Sequence, residues 1–333
     1  MALLSFIVPV YNRPDEVCEL LDSLSCQSEK DFEVIIVEDG SSLPCEAQCL
    51  AARAKGLNVR YFYKSNEGRS IARNVGMEKA VSDFFIFVDS DCVIPPDYVA
   101  KVSEFIRSSE ADCFGGPDAA HESFSDVQKA INFAMTSFLT TGGIRGRKKS
   151  LEKFTPRTFN MGFTRRVFER VGGFREMFSE DIDMSKRIEK AGFDITLLPE
   201  AFVWHKRRVD FKKFFRQVHV FGMSRITLKL LYPGSLKIVH ALPAVAVLCA
   251  LAVLALAVFV SPWWLLLPAA YILAIFLSAL HTTRSLKIAL LAVPASVIQI
   301  TGYGTGFIRA WITSIVLGRG RDLNREILMR KGK

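Results

Sequence analysis

The sequence predicts an α/β domain with a Rossmann-like, mostly parallel sheet, followed by C-terminal helices able to cross a membrane. Three observations predict it. Strand-length apolar runs alternate with helix-length amphipathic segments over about the first 200 residues, the pattern of right-handed crossovers and a parallel sheet. Several of those runs end in acidic or polar residues, so these side chains gather at the carboxyl edge of the sheet, where open α/β folds bind ligands. Beyond residue 237 come two long stretches without charge.

Residues 3–10 read as the first strand, closed by Tyr11-Asn12-Arg13-Pro14. Pro14 and Asp15 open a helix to about Ser25, with Val17, Leu20, Leu21 and Leu24 on one face. The second strand, Phe32 to Val37, runs into Glu38-Asp39-Gly40. A helix over about 44–55, a third strand from Val59 to Tyr63 and a helix from Ser70 to about Val81 follow. Then comes Phe84-Phe85-Ile86-Phe87-Val88-Asp89-Ser90-Asp91-Cys92. Its apolar run is short and aromatic enough to be a strand buried on both faces. Carboxylates have no place in such a strand, so Asp89 and Asp91 sit where it emerges. Two acids this close repel each other unless a cation lies nearby, and oxygen ligands suit Mg²⁺ or Mn²⁺. A solvated turn is the plain alternative for an isolated Asp-x-Asp. The parallel order brings Tyr11, Asp39, Arg69, Asp89 and Asp91 to one edge.

The segments Val8-Pro9-Val10-Tyr11-Asn12, Val37-Glu38-Asp39-Gly40-Ser41, Gly68-Arg69-Ser70-Ile71-Ala72-Arg73-Asn74 and Asp89-Ser90-Asp91, in that order and at these spacings, carry a resemblance. The chain resembles the family 2 glycosyltransferases, inverting sugar transferases of the GT-A fold, over about residues 3–210. The resemblance implies that Pro9, Tyr11 and Asp39 contact the donor nucleoside and that Arg69 reaches the base or diphosphate. It also implies that Asp89, Ser90 and Asp91 bind the donor through a divalent ion, Mg²⁺ or Mn²⁺. Glu38 stands where such families often carry Asp, which leaves its role open.

After a helix over about 97–109, Cys113 to Asp118 includes Gly115-Gly116, read either as a tight turn or as close approach by acceptor or diphosphate. The basic, glycine-rich stretch 142–150 reads as a surface loop or as a lid over a diphosphate. Ser179-Glu180-Asp181-Ile182-Asp183, after Gly172-Gly173-Phe174, resembles the Glu-Asp motif of the same family. That resemblance makes Asp181 the catalytic base, with Glu180, Asp183 and Arg187 pairing with it or orienting acceptor or diphosphate. A helix N-terminus would favour these acids without any chemistry. His205 ends an apolar run at the same edge. It is either structural or, as in GT-A enzymes, a reach toward metal or diphosphate.

Residues 1–209 are therefore expected to form the catalytic domain. From 210 to 236 aromatic and cationic residues recur on opposite faces of a helix, which suits the headgroup layer of a membrane or packing on the catalytic domain. Gln217 is followed by Val-His-Val, not by the Arg-Trp of processive polysaccharide synthases. Within 237–317, residues 238–260 and 262–280 can each cross a ~30 Å hydrocarbon core. Pro294, Gly302, Gly304, Gly306 and Arg309 interrupt 288–317. A full third crossing would also put the basic tail 318–333 outside, against the positive-inside rule. That segment is expected to be bent, re-entrant or surface-lying.

The formal net charge of +9 comes without a nucleic-acid motif, and basic residues beside apolar spans fit the cytoplasmic face of a membrane. Of seven cysteines, six precede residue 114 and none forms a C-x-x-C pair, so all read as reduced thiols. The N-terminus lacks a basic leader and is not expected to be a signal peptide. The expectation is a multi-pass protein of the inner (cytoplasmic) membrane, its catalytic domain facing the cytoplasm. It would transfer sugar from a nucleotide-sugar donor to a membrane-bound acceptor in the bilayer, a lipid-linked saccharide or a lipid. Loading of polyprenyl phosphate itself, and a non-catalytic nucleotide-sugar-binding role, stand as alternatives.

Overall fold

The computed structural model describes residues 3–108, 112–119, 121–142, 154–206 and 210–319. They fall into two compact units, one running to His121 and resuming from 154 to Lys206, the other made of Glu122–Gly142 and 210–319.

The first unit opens with β1 (Leu4–Val10), α1 (Pro14–Ser25), β2 (Phe32–Asp39), α2 (Glu46–Ala54), β3 (Val59–Lys64) and α3 (Arg69–Lys79). Next are β4 (Phe84–Phe87), β5 (Cys92–Val93), α4 (Tyr98–Ser108), β6 (Cys113–Gly115) and β7 (Asp118–Ala119). The chain then contributes α5 (Asp126–Thr136) and α6 (Phe138–Thr141) to the other unit. It returns for β8 (Met161–Thr164), α7 (Arg165–Val171), α8 (Glu180–Lys190), β9 (Ile195–Leu197) and β10 (Val203–His205).

Seven strands form the main sheet in the order β3-β2-β1-β4-β8-β6-β9. The first four are parallel, as the strand–helix alternation requires, and β8 runs antiparallel between β4 and β6. Alternate residues of β1 feed two cores. Leu4, Phe6 and Val8 pack with Leu20 and Leu24 of α1, while Ile7 packs with Phe85, Phe87 and the α3 side. A sheet covered on both faces reads as near-continuous apolar runs, and that is how 84–88 reads. Helix α3 lies so close to β1 that a Cβ on Gly76 would come within 2.4 Å of Ile7. A second, three-stranded sheet, β5-β10-β7, stands at the acidic edge.

The second unit adds α9 (Phe211–Leu231), α10 (Ile238–Phe259), α11 (Leu266–Thr283) and α12 (Leu286–Trp311), the last extended by a π-helical turn, Ile312–Val316. Three of its helices, Ile238–Phe259, Pro262–Thr283 and Leu286–Val316, are long and apolar enough to cross a membrane. The segment 288–317, expected to be bent, re-entrant or surface-lying, is helical through Val316. The segment is one continuous helix, and α12 alone is about 39 Å long at ~1.5 Å per residue. The glycines that read as breakers are contact points instead. A Cβ on Gly306 would meet the His219 carbonyl and one on Gly302 the side chain of Val218, both on α9, while Gly304 faces the Pro243 carbonyl of α10. Small residues let helix backbones approach where larger ones would hold them apart.

Two further features bear on the expected division of the chain. Part of the apolar face of α9 packs within this unit: Phe214 and Val218 are fully buried with Ala295 of α12 and Ile131, Ala134 and Met135 of α5, while Phe215 is exposed. The boundary at 209 is not the only one, because α5 belongs with the apolar helices. Ala130 and Phe133 pack with Ile275, Ala279, Ala289 and Ala292, and Tyr271 donates to the Leu139 carbonyl at 2.7 Å. The lid or loop expected at 142–150 and the basic tail lie, apart from Gly142, Gly318 and Arg319, outside the described residues.

Candidate active site

The acids after β4 are held in a tight turn in which the Cys92 amide donates to the Asp89 carbonyl at 3.1 Å. Strand β10 pairs antiparallel with β5, placing His205 opposite Cys92, and the Lys206 amide donates to the Asp91 carbonyl at 3.0 Å. This register brings His205 Nε2 to 3.2 Å from Asp91 Oδ1. On the other side of the ring, Nδ1 lies 3.7 Å from Asp118 Oδ2, and the Phe159 ring centroid is 4.8 Å away. Asp91 Oδ2 accepts from the Arg13 guanidinium at 3.2 Å, and Asp89 Oδ1 accepts from Arg73 at 2.7 Å. Ser90 is buried between the two acids.

Ligand atoms of Asp91, Cys92 and His205 lie within 4.8 Å of one another, close enough to share a metal ion. Burial, then Asp91 and Asp89, push the Cys92 thiol well above its ordinary range, and its S–H points to the Phe159 carbonyl at 3.7 Å. With its S–H turned to that carbonyl, Cys92 leaves a carboxylate and an imidazole as the donors offered to an ion. A carboxylate behind the far imidazole nitrogen, here Asp118, is the arrangement that orients a metal-binding histidine. An oxygen-and-nitrogen set that small fits a divalent ion completing its shell with phosphate oxygens and water.

The two acids at the start of α8 have different surroundings. Glu180 is fully buried and bound by two arginines. Arg69 Nε and Nη2 lie 2.5 and 2.6 Å from its two oxygens, and Arg73 Nη1 donates at 3.0 Å. Burial disfavours charge on Arg69, but Glu180, then Asp89 and Asp181, outweigh it and hold the guanidinium above the ordinary arginine range. Asp181 is looser, with Oδ1 accepting from the Ile182 amide at 2.8 Å and Oδ2 lying 3.5 Å from Arg157. Ser179, just before them, is in the left-handed region with φ 63°, a conformation costing a non-glycine residue roughly 1–2 kcal/mol and often found at functional sites.

Asp183 is buried and bound by Arg187 at 2.8 Å and Arg175 at 3.3 Å. The other two nitrogens of Arg187 donate to the carbonyls of Val171 and Gly173. This pair fastens α8 to the Gly172-Gly173 turn, so both residues shape the site from behind.

On the β1–β2 side, Pro9 lies opposite Val37, and Tyr11 stands 53% exposed just past the strand end. Asp39 accepts from the amides of Glu67 and Gly68 at 3.0 and 2.8 Å and from Lys64 at 2.8 Å. It thereby holds the loop that leads into α3. Glu38 points the other way, fully buried, and accepts from Ser41, from the Cys45 amide at 2.8 Å and from the Tyr61 hydroxyl at 3.5 Å. Its place is structural, which answers the question that the Glu38-Asp39 order left open.

Gly115 and Gly116 do not need a ligand to explain them. A Cβ on Gly116 would sit 1.9 Å from the Ala201 carbonyl oxygen, and one on Gly115 would strike Pro156 and Phe154. These contacts account for glycine at both positions from the protein's own packing, in keeping with the tight-turn alternative.

Four residues were not singled out from sequence: Arg13, Arg73, Asp118 and Arg157. Arg73 had a visible signal, since it follows Arg69 by four residues on one helix and so shares its face. The others come to the site from separate connections, with no spacing to mark them.

Residues 5–172, half of the chain, match the model of the family described as glycosyl transferase family 2. An uncharacterized glycosyltransferase of Rickettsia felis is 30% identical over 136 residues, covering 41% of this chain. The chain spans only 22% of that relative's length. Succinoglycan biosynthesis protein ExoA of Rhizobium meliloti is 25% identical over 227 residues, 66% of this chain and 68% of that protein. In fold the chain is similar to mannosyltransferase PcManGT from Pyrobaculum calidifontis, solved in complex with GDP-Man and Mn²⁺. The TM-score is 0.63 at 17% identity, over 90% of this chain and 87% of that one. The acidic turn after β4, the sheet that presents it and the family match agree: this chain belongs to glycosyl transferase family 2.

Proposed function

We propose that the protein transfers a sugar, with inversion, from a nucleotide-sugar donor to an acceptor in the membrane, with Asp181 as the base. The observation that carries this reading is the contrast between Glu180 and Asp181. Glu180 is buried and bound by Arg69 and Arg73, while among the described residues the Asp181 carboxylate meets a backbone amide and makes a long contact to Arg157. A general base needs an oxygen that can reach a hydroxyl, and Asp181 has it.

Donor binding is assigned to the β1, β2 and β4 ends. Tyr11 offers an exposed ring to a base, Asp39 and Pro9 flank the nucleoside, and Arg69, Asp89 and Ser90 lie toward the sugar diphosphate. Asp91 and His205 would hold a divalent ion, Mg²⁺ or Mn²⁺, with Asp89 nearby. When bound, such an ion supplies positive charge against the departing nucleoside diphosphate. Asp181 takes the proton of the acceptor hydroxyl, which attacks the anomeric carbon from the face opposite the leaving group. Arg69 and Arg73 keep Glu180 from competing for that proton.

The apolar helices support a membrane location, and a membrane location supports an acceptor held in the bilayer. The proposed site is the inner membrane, with the first unit on the cytoplasmic side. The test is transfer of radiolabel from candidate nucleotide sugars into lipid-extractable material by the detergent-solubilised protein with Mn²⁺. Label that mild acid leaves on the lipid, or releases as part of an oligosaccharide, identifies a glycosidic bond to a lipid or a lipid-linked saccharide. Label released as the free monosaccharide would instead identify polyprenyl phosphate as acceptor. No label transfer from any donor, with nucleotide binding intact, would support the non-catalytic alternative.

A further inference from the structure

Arg13 lies outside the segments usually read for donor binding, yet its guanidinium sits on the carboxylate assigned to the metal. Nη1 is 3.2 Å from Asp91 Oδ2 and 3.3 Å from Glu16 Oε1, one turn into α1. The opposite oxygen of Asp91 faces His205. The Asp91 side chain is 13% exposed, while Arg13 and Glu16 are about one-third exposed. The acid is thus fixed and its cation is on the wet side, free to swing without unpacking the core. Arg13 is also the N-cap residue of α1, where positive charge is disfavoured by the helix dipole, and the first-turn acids Asp15 and Glu16 offset this.

We propose that Arg13 is a stand-in cation for the metal site. It holds the Asp91 carboxylate in place before substrate arrives, competes with the divalent ion for that carboxylate, and transfers to Glu16 and the donor's diphosphate when the ion binds. This rests on the reading of Asp91 as a metal ligand. Its consequence is coupling: metal alone binds against a resident arginine, whereas metal with a nucleoside diphosphate supplies an anion for the displaced guanidinium. Glu16 provides the second station, and because one nitrogen already bridges both acids, the exchange needs only a small rotation.

The test is Mn²⁺ binding to the full-length, detergent-solubilised protein, followed by electron paramagnetic resonance with and without UDP or GDP. A partly exposed ion pair contributes little, and its loss moves an equilibrium only modestly. Arg13→Gln should therefore tighten binding of Mn²⁺ alone by about two- to fivefold, a tenfold change being about 1.4 kcal/mol. It should also reduce the gain in Mn²⁺ affinity on adding the diphosphate. Glu16→Gln, which removes the second station, should act in the opposite direction and weaken binding of Mn²⁺ alone. Equal or weaker Mn²⁺ affinity in Arg13→Gln, in a protein whose melting temperature is unchanged, overturns the proposal. Should Arg13→Gln melt early, the Glu16→Gln arm decides by itself: no weakening there also overturns it. Failure of the wild-type protein to bind Mn²⁺ under any condition, or binding that Asp91→Asn leaves intact, would instead remove the metal assignment beneath it.

Discussion

Arg73 and Glu180 form an ion pair at 3.0 Å in which neither side chain reaches solvent. A second nitrogen of Arg73 donates to Asp89 at 2.7 Å, and the guanidinium carbon lies 5.7 Å from the centroid of the Phe174 ring. One arginine thus fixes the distance between the acidic turn after β4 and the start of α8, the two places where donor and acceptor chemistry are assigned. Removing one partner of a buried pair leaves an uncompensated charge and typically costs about 3–5 kcal/mol. Arg73→Ala should lower the melting temperature by several degrees and remove transfer activity. Arg73→Lys should not restore either, because a single ammonium cannot span Glu180 and Asp89 as the planar fork does. A melting temperature for Arg73→Ala equal to that of the wild type would show that the pair is not a structural tie.

Much of the fold was legible in the sequence, as was the sheet edge at which the candidate residues gather, and the misses have physical causes. Strands β1 to β4 and their acidic ends could be read because a buried apolar run that discharges into carboxylates must surface at that point. The Asp91–His205 approach depends on the antiparallel pairing of β5 and β10, two short strands about 110 residues apart, and no local pattern encodes it. Gly302, Gly304 and Gly306 misled for a different reason. Glycine in a helix looks like a breaker in isolation, whereas its use here is to admit the backbones of α9 and α10, which only the packed unit reveals.

The glycine contacts give a second prediction. Gly306→Leu places a side chain where the His219 carbonyl already stands, and α9 must move away from α12. Overpacking of this kind commonly costs about 1–3 kcal/mol. The variant should show a lower melting temperature or a poor yield from detergent, while Val297→Leu on the exposed side of α12 should behave as wild type. Equal stability of both variants would mean that α9 and α12 do not pack as closely as they are placed.

Truncation tests the division into units. A chain ending at Lys206 lacks α9, α11 and α12, the partners of Ala130, Ile131, Phe133, Ala134 and Met135 on α5. It should aggregate despite carrying the whole sheet. Adding Ile131→Lys and Met135→Lys, which make the orphaned face polar, should improve the recovery of soluble monomer on gel filtration. If the simple truncation is already monomeric, α5 is not held by the apolar helices.

A pH-dependent tie joins β3 to the loop before α3. Burial opposes charge on Lys64, but hydrogen bonds to Asp39 and Glu67 outweigh it and raise its pKa above the ordinary 10.5. A group whose folded pKa is raised contributes stability fully below the unfolded value, and that contribution is lost as pH rises through the folded one. Lys64→Met should therefore melt below the wild type at neutral pH, and the gap should close above about pH 10.5. A gap that is constant from neutral to alkaline pH would assign the effect to packing of the longer side chain.

Asp181 and Glu180 can be separated by one pair of substitutions. Asp181→Asn keeps the side-chain volume and a group that can accept from the Ile182 amide, but removes the basic oxygen. Loss of a general base commonly costs ~10²–10⁴ in rate. Turnover should fall by about that factor, with donor affinity within a few fold of wild type and an unchanged melting temperature. Glu180→Gln should show a different signature. The buried amide loses its charge-assisted contacts with Arg69 and Arg73, so the melting temperature falls and donor binding weakens along with turnover. Helix-dipole stabilisation alone would treat neighbouring acids alike, whereas a base and an anchor do not behave alike. If Asp181→Asn keeps most of its rate, the base lies elsewhere and Asp183 is excluded by its ties to Arg187 and Arg175, which leaves the acceptor to bring its own ionised oxygen, as a phosphate would.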